Sequence, residues 1–390
     1  MDVDAFDRLL SPEGQELLAA LRDYDPAREL ATATRLRRDH PAELVSAALT
    51  QARLRQRAEA KFGADAYRMY FTPNGLEQST RVSVARYRAE RFADHGPVEV
   101  LDLCCGIGGD ALALAARGFV VPAVDRDPLT CAVVRANAEA LGVSELLHAV
   151  CADVTTYPGA KEYEAVFIDP ARRGGRGRIF DPEAYSPPLS WAVETARAAD
   201  FGAIKIAPGI PHEAIPDDAE AEWVSDGGDV KEAVLWFGAE PGARRATLLP
   251  QGVSLTGRGL PDPDVRPVGR YLYEPDGAVI RAHLVAEVAE EVGGGLIDET
   301  IAYVTADGLV PTPYASAYEI TDVLPFNVKR LKALLRERGV GVVTVKKRGS
   351  AVEPEELRRK LKLDGANSCT VILTRVAGAP TMLLGHPVSR

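Results

Sequence analysis

Three carboxylates set around a run of glycines are the first residues that could do chemistry. The run is Val98-Glu-Val-Leu-Asp102-Leu-Cys104-Cys105-Gly106-Ile-Gly108-Gly109-Asp110, an apolar stretch entering a glycine turn. Glycine has no Cβ, so such a turn closes tightly and lets a ligand come against the backbone. A second acid, Asp125, closes the next apolar run in Ala123-Val-Asp125-Arg-Asp127-Pro128, and a third, Asp153, follows the one after it in Cys151-Ala-Asp153-Val. A carboxylate accepts from two hydroxyls at once, and a row of carboxylates favours a cationic ligand. Read alone, Gly106, Gly108 and Ala111 also fit a dinucleotide-binding turn or an ordinary strand-to-helix connection.

A fourth acid stands in Val166-Phe-Ile-Asp169-Pro170-Ala171-Arg172-Arg173-Gly174-Gly175-Arg176-Gly-Arg178. The arginines after it suit phosphate contact or guanidinium stacking on a base. A second basic region spans 329 to 362, where twelve Lys and Arg stand against four Glu in a chain whose net charge is −10. Global attraction to nucleic acid or an anionic membrane is thereby excluded, and any polyanion site has to be local. Lys346, Lys347 and Arg348 close an apolar run and are candidates for such contact.

The elements that must position these groups change character along the chain. Its 390 residues are long enough for two or three domains. Residues 1–95 read as helices, with Val82, Ala85, Ala89 and Phe92 at helical spacing and Tyr70-Phe71-Thr72-Pro73-Asn74-Gly75 as a turn between helices. From 96 to 250, apolar runs at 98–103, 119–124, 146–150, 164–168 and 202–206 alternate with helical stretches, which predicts a parallel α/β sheet. Runs at 221–225 and 232–237 are too close for a crossover and predict an antiparallel hairpin. Residues 251–390 open with a Gly- and Pro-rich linker and end as an α+β unit: helix 328–338, strand 340–345, helix 353–361, strand 369–374.

In this order and spacing, the block from 98 to 240 resembles the class I S-adenosylmethionine-dependent methyltransferases. The resemblance implies a Rossmann-like seven-stranded sheet with S-adenosylmethionine as cofactor. Asp102, Cys104, Gly106 and Gly108 would then face its methionine part, Asp125 its ribose hydroxyls and Asp153 its adenine amino group. Asp169 would orient the methyl acceptor, with Pro170 fixing the backbone, and Glu232 is a further candidate for proton acceptance. Tyr70-Phe71-Thr72-Pro73 and the 98–170 block resemble the trimethylguanosine synthase family, which makes Phe71 and Thr72 candidate substrate-binding lid residues beside Arg172 and Arg173. That family's cap-stacking Trp after the Pro pair is absent, so a cap substrate is not expected.

Asp169-Pro-Ala-Arg and Lys231-Glu232-Ala-Val-Leu-Trp-Phe also resemble the uridine-5 RNA methyltransferases. Their attacking Cys is missing from Ile204-Lys205-Ile206-Ala207-Pro208, which disfavours thiol addition. Residues 320–390 resemble the THUMP-like domain, and the whole chain resembles the bacterial THUMP-like family of RNA methyltransferases. The expectation is therefore methylation of a nucleotide in structured RNA, tRNA or rRNA rather than DNA. Methylation of a small molecule or a protein, and a non-catalytic cofactor- or RNA-binding scaffold, remain open alternatives. Five cysteines without CxxC spacing suit thiols of the cytoplasm, and six histidines without HExxH predict no metal site. No apolar run approaches the roughly 18 residues of a membrane span, so none is expected.

Overall fold

Apolar runs bounded by glycine and proline become the strands of a largely parallel sheet. The computed structural model describes residues 1–158, 162–171 and 181–388, with the backbone alone of residues 173, 174, 177 and 178. Six helices come first: α1 (Val3–Leu10), α2 (Pro12–Ala20), α3 (Glu29–Leu36), α4 (Ala42–Phe62), α5 (Pro73–Gln78) and α6 (Val82–Ala93). Strands and helices then alternate as β1 (Val100–Leu103), α7 (Gly109–Arg117), β2 (Val121–Asp125), α8 (Pro128–Leu141), β3 (Leu147–Cys151) and β4 (Ala165–Ile168). The two-residue pair β5 (Arg173–Gly174) and β6 (Gly177–Arg178) precedes α9 (Leu189–Ala198) and β7 (Phe201–Ile206). Next come β8 (Glu220–Asp226) and β9 (Asp229–Phe237), separated by the positive-φ residues Gly227 and Gly228.

The chain divides into two units, Met1–Glu220 with Glu232–Gly242, and Ala221–Lys231 with Ala243–Arg390. In the first, strands run in the order β3-β2-β1-β4-β7-β9, all parallel except β9, which is antiparallel to β7. The expected separate helical domain 1–95 does not stand apart from the sheet. Phe6, Leu9, Leu54, Phe71 and Phe92 from the helices and Val100, Val121, Phe167 and Trp236 from the sheet belong to one apolar cluster. Phe92 packs edge-on against Phe201 and Trp236, so α6 seals the sheet directly. Local signals end the helices as the sequence suggests: Asp127 caps α8 by accepting from the Thr130 N–H at 2.9 Å, and Gly142 at φ 75° closes it.

The second unit begins earlier than the linker reading places it. It holds β8 parallel to β10 (Arg244–Leu249), with β11 (Val253–Thr256) antiparallel to β10. A further sheet in the order β13-β14-β12-β15-β18-β17-β16 is built from β12 (Tyr271–Pro275), β13 (Gly295–Asp298), β14 (Ile301–Ala306), β15 (Ala315–Pro325), β16 (Val340–Lys347), β17 (Asn367–Val376) and β18 (Ala379–Pro387). Helices α10 (Gly277–Arg281) and α11 (Val285–Glu291) interrupt it, a stretch the sequence reading left without elements. The amphipathic α12 (Val328–Glu337) and α13 (Pro354–Leu361) lay Leu331, Leu335, Leu357 and Leu361 on Val371, Leu373, Met382 and Leu384.

Because helices and sheet of the first unit share one core, removing an apolar group at its helical edge should loosen the strands. Phe6→Ala, at a wholly buried ring, is expected to cost about 3–5 kcal/mol. Hydrogen exchange read by mass spectrometry should then quicken in β1, β2 and β4 as well as in α1. Exchange confined to α1 would show that the helices form a core of their own.

Candidate active site

At the carboxyl ends of β1, β2 and β4 the first unit opens a cavity of about 830 Å³. Its floor is the turn after β1. Cys104, Gly106 and Gly108 adopt positive φ of 66°, 55° and 85°, and a Cβ added at Gly106 would meet no atom within 4 Å. The glycine backbone thus faces open space where a ligand can lie against it. Asp125 pins the turn, accepting from the Gly106 N–H at 3.1 Å and the Asp127 N–H at 3.0 Å. Burial raises its pKa, and these two bonds work in the opposite direction. Asp153 lies exposed at the cavity edge, where the hydroxyl and backbone N–H of Thr155 both donate to it and lower its pKa. Cys104 lines the cavity, with burial raising its thiol pKa, so it offers contact rather than a thiolate nucleophile.

Asp102 is placed differently from expectation. It is wholly buried behind the lining, and neither carboxyl oxygen has a hydrogen-bond partner among the described residues. Burial first, then the neighbouring Asp169, pushes its pKa up to about 8 against the pull of Arg88 and Lys205. It therefore lies behind the cavity wall and does not line the space a ligand would fill. Asp169, Pro170 and Ala171 do line the cavity, at the end of β4, with the Asp169 N–H donating to the Leu103 carbonyl at 3.1 Å.

Behind Asp169 runs a buried chain of polar groups. Lys205, inside β7, donates to Asp169 Oδ2 at 2.7 Å and to the Thr80 hydroxyl at 2.8 Å. Thr80 donates to Asp110 Oδ2 at 2.6 Å, and Arg88 bridges Asp110 and Glu232. Sequence reasoning missed Lys205, Thr80, Arg88 and Asp110 as parts of the site. The available signal was a lysine in the middle of the apolar run Phe201-Gly-Ala-Ile-Lys205-Ile206. Glu232 is buried at the far end of this chain and does not line the cavity, which removes it as a proton acceptor for a ligand there.

The segment expected to act as a lid borders the cavity, but not through the residues the sequence singled out. Phe71 is wholly buried against Phe62, and the Gln51 amide holds its backbone through the N–H at 3.0 Å and the carbonyl at 2.6 Å. Thr72 caps α5 by accepting from the Gly75 N–H at 3.0 Å. Neither lines the cavity; Asn74, Gly75, Glu77 and Gln78 do. A Cβ at Gly75 would come within 2.2 Å of Ile107 Cγ2, so α5 presses on the glycine turn because that residue has no side chain. Arg172 lies outside the described residues, and of Arg173 only the backbone, in β5, is described. Lys346, Lys347 and Arg348 belong to the second unit. There Lys346 and Arg348 pair with Glu274 at 2.5 and 3.8 Å, and Lys347 pairs with Glu353 at 2.5 Å.

A parallel sheet with one antiparallel strand, a glycine turn after its first strand and carboxylates after the next define a Rossmann-like class I methyltransferase. Comparison with known proteins agrees. Residues 98–186 match the RNA cap guanine-N2 methyltransferase family, 315–387 the THUMP domain-like family and 2–58 a domain family of unknown function. Proteins from two strains of Mycobacterium tuberculosis, each named an uncharacterized S-adenosylmethionine-dependent methyltransferase, are 35% identical over 342 residues, 83% of this chain and 90% of theirs. The chain belongs to this S-adenosylmethionine-dependent methyltransferase family. A crystal structure of a Porphyromonas gingivalis W83 protein named as a methyltransferase superposes with TM-score 0.77 at 23% identity, covering 96% of this chain and 99% of that one, and so shares the fold.

S-adenosylmethionine is the cofactor, and the cavity suits it. The open face of Gly106 leaves room for a ligand, and Asp125, Asp153 and Asp169 line the cavity with acids that suit a ligand carrying positive charge, with Asp102 buried behind them. Asp125→Ala should weaken S-adenosylmethionine binding at least about tenfold, or 1.4 kcal/mol, by calorimetry. Unchanged affinity would exclude Asp125 from the pocket. Asp102 gives a pH signature. With its pKa raised to about 8, it stays protonated in the folded chain while the unfolded chain ionises it near pH 4, so stability falls as pH rises between these values. Asp102→Asn should flatten that decline by up to about 1.4 kcal/mol per pH unit in denaturant melts. Parallel wild-type and variant pH curves would contradict the assignment.

Proposed function

We propose that the protein methylates a base nitrogen in structured RNA, tRNA or rRNA, in the cytoplasm. One observation carries the reading: an Asp-Pro pair at the end of β4 presents a carboxylate, held by Lys205, into the cofactor cavity. The family matches to RNA cap guanine-N2 methyltransferases and to THUMP-like domains support an RNA acceptor. Five free cysteines suit a reducing compartment.

The cofactor supplies an electrophilic methyl group whose leaving group departs as a neutral thioether. The acceptor nitrogen would become cationic as it takes the methyl group, and the proton it then loses would pass to the Asp169 carboxylate beside it. Asp169 accepts a hydrogen bond from that nitrogen, aims its lone pair and offsets the positive charge that builds on it. Pro170 fixes the backbone beside it. Positioning of this kind is worth up to about 7–11 kcal/mol.

RNA capture is assigned to α12 and α13 in preference to Lys346, Lys347 and Arg348, whose charges have acidic partners. Lys329, Arg330, Lys332 and Arg336 on α12, Arg359 on α13 and Lys362 just after it have no acidic partner in an ion pair among the described residues. A cation without a local carboxylate is available to release counterions from phosphate.

Transfer of a labelled methyl group into a small-RNA fraction tests the reading. Asp169→Ala should lower transfer by about 100-fold or more while cofactor affinity holds. Replacing Lys329, Arg330 and Lys332 together by Ala should weaken RNA binding and reduce its log–log salt slope by about 2–3. Full transfer by the Asp169 variant would remove Asp169 from the reaction. RNA binding that is absent or indifferent to salt would point to a small-molecule acceptor.

A further inference from the structure

Lys205 is a costly residue for its place. It sits within β7, its side chain 5% exposed, in a run otherwise made of Phe, Gly, Ala and Ile. Burying an ammonium is unfavourable unless several partners receive its protons, and a methionine would fill similar space without that cost. Its two partners are Thr80 and the acceptor-facing Asp169.

The direction of each bond in the chain follows from donor chemistry. Arg88 can only donate, and it donates to Asp110 and to Glu232. Asp110 as a carboxylate can only accept, so the 2.6 Å contact with Thr80 needs the threonine proton. That leaves the lone pairs of the Thr80 oxygen facing Lys205, which donates into them at 2.8 Å. Nζ is thereby fixed where a second proton meets Asp169 Oδ2 at 2.7 Å. Oδ2 of Asp169 is committed to Lys205, and Oδ1 has no hydrogen-bond partner among the described residues. Lys205 is the cation paired with the Asp169 carboxylate, at 2.7 Å.

We propose that Lys205 and Thr80 are positioning residues for methyl transfer, holding the Asp169 carboxylate turned toward the acceptor through a buried chain anchored by Arg88. This deepens the proposed function and rests on Asp169 facing the acceptor there. Neither residue touches the acceptor in this account. Their effect is on the geometry of Asp169, hence on kcat rather than on cofactor or RNA binding.

The test uses the full chain carrying Lys205→Met, Thr80→Val or Thr80→Ser, with kinetics on the small-RNA fraction and crystal structures of the proteins with S-adenosylhomocysteine. Thr80→Val keeps the side-chain shape and replaces the hydroxyl by a methyl group, and Thr80→Ser keeps the hydroxyl, so this pair tests the chain without removing the buried lysine. Lys205→Met and Thr80→Val should lower kcat by about 100-fold with KM and cofactor affinity within about threefold, and Thr80→Ser should restore most of the rate. In the crystals, the Asp169 carboxylate should move by about 1 Å or more in Thr80→Val and stay in Thr80→Ser. Unchanged kcat, an equal loss in Thr80→Ser, or an unmoved Asp169 overturns the proposal. If the wild-type protein transfers no methyl group to RNA, the proposed function fails instead, and the Asp169 positions alone decide this inference.

Discussion

Acid packed behind a glycine turn is the constraint on which this protein is built. Asp102, Asp110, Asp169 and Glu232 lie in or beside the interior of the first unit, and among the described residues Arg88 and Lys205 are the cations that pair with them. Two cations cannot neutralise four carboxylates, so burial and repulsion leave Asp102 as the group that keeps its proton. The remaining excess of negative charge lies next to the cavity. A ligand that brings positive charge relieves it, and a sulfonium with an ammonium does so without introducing a metal.

The helices at the start of the chain take part in that arrangement. Arg88 comes from α6 and Thr80 from the segment just before it, and both reach Asp110 on α7 and a strand residue beyond it, Glu232 on β9 for Arg88 and Lys205 on β7 for Thr80. α5 presses on the glycine turn through Gly75, and Gln51 of α4 fixes the chain leading into it. A sheet of this class without those helices would lack the cation that ties Asp110 to Glu232. The shared core thus carries the buried polar chain as well as the packing.

How much of this was legible in the sequence follows from which signals are local. Asp102, the glycines, Asp125, Asp153 and Asp169-Pro170 lie at strand ends within one stretch, and both their order and the parallel sheet could be read from alternating apolar runs. Phe71 and Thr72 were placed in the lid because their segment is there. Which side chains of that segment face the cavity depends on Gly75 meeting Ile107, a contact between distant residues that no spacing encodes. Lys205, Thr80, Arg88 and Asp110 are joined only by the fold; Lys205 stands out within an apolar run, but Thr80, Arg88 and Asp110 alone read as solvated or capping groups. In the second unit, twelve cations were visible, but their partners were not: Glu274 neutralises two of them from a strand more than seventy residues earlier.

The account stands or falls on what the cavity at the ends of β1, β2 and β4 holds. A crystal structure of the protein with S-adenosylhomocysteine measures this most directly. The nucleoside should lie against Gly106 with its ribose hydroxyls on Asp125, its adenine toward Asp153 and its sulfur toward Asp169. A ligand bound elsewhere, or one whose sulfur points away from Asp169, would contradict the assignment of this rim as the site of methyl transfer.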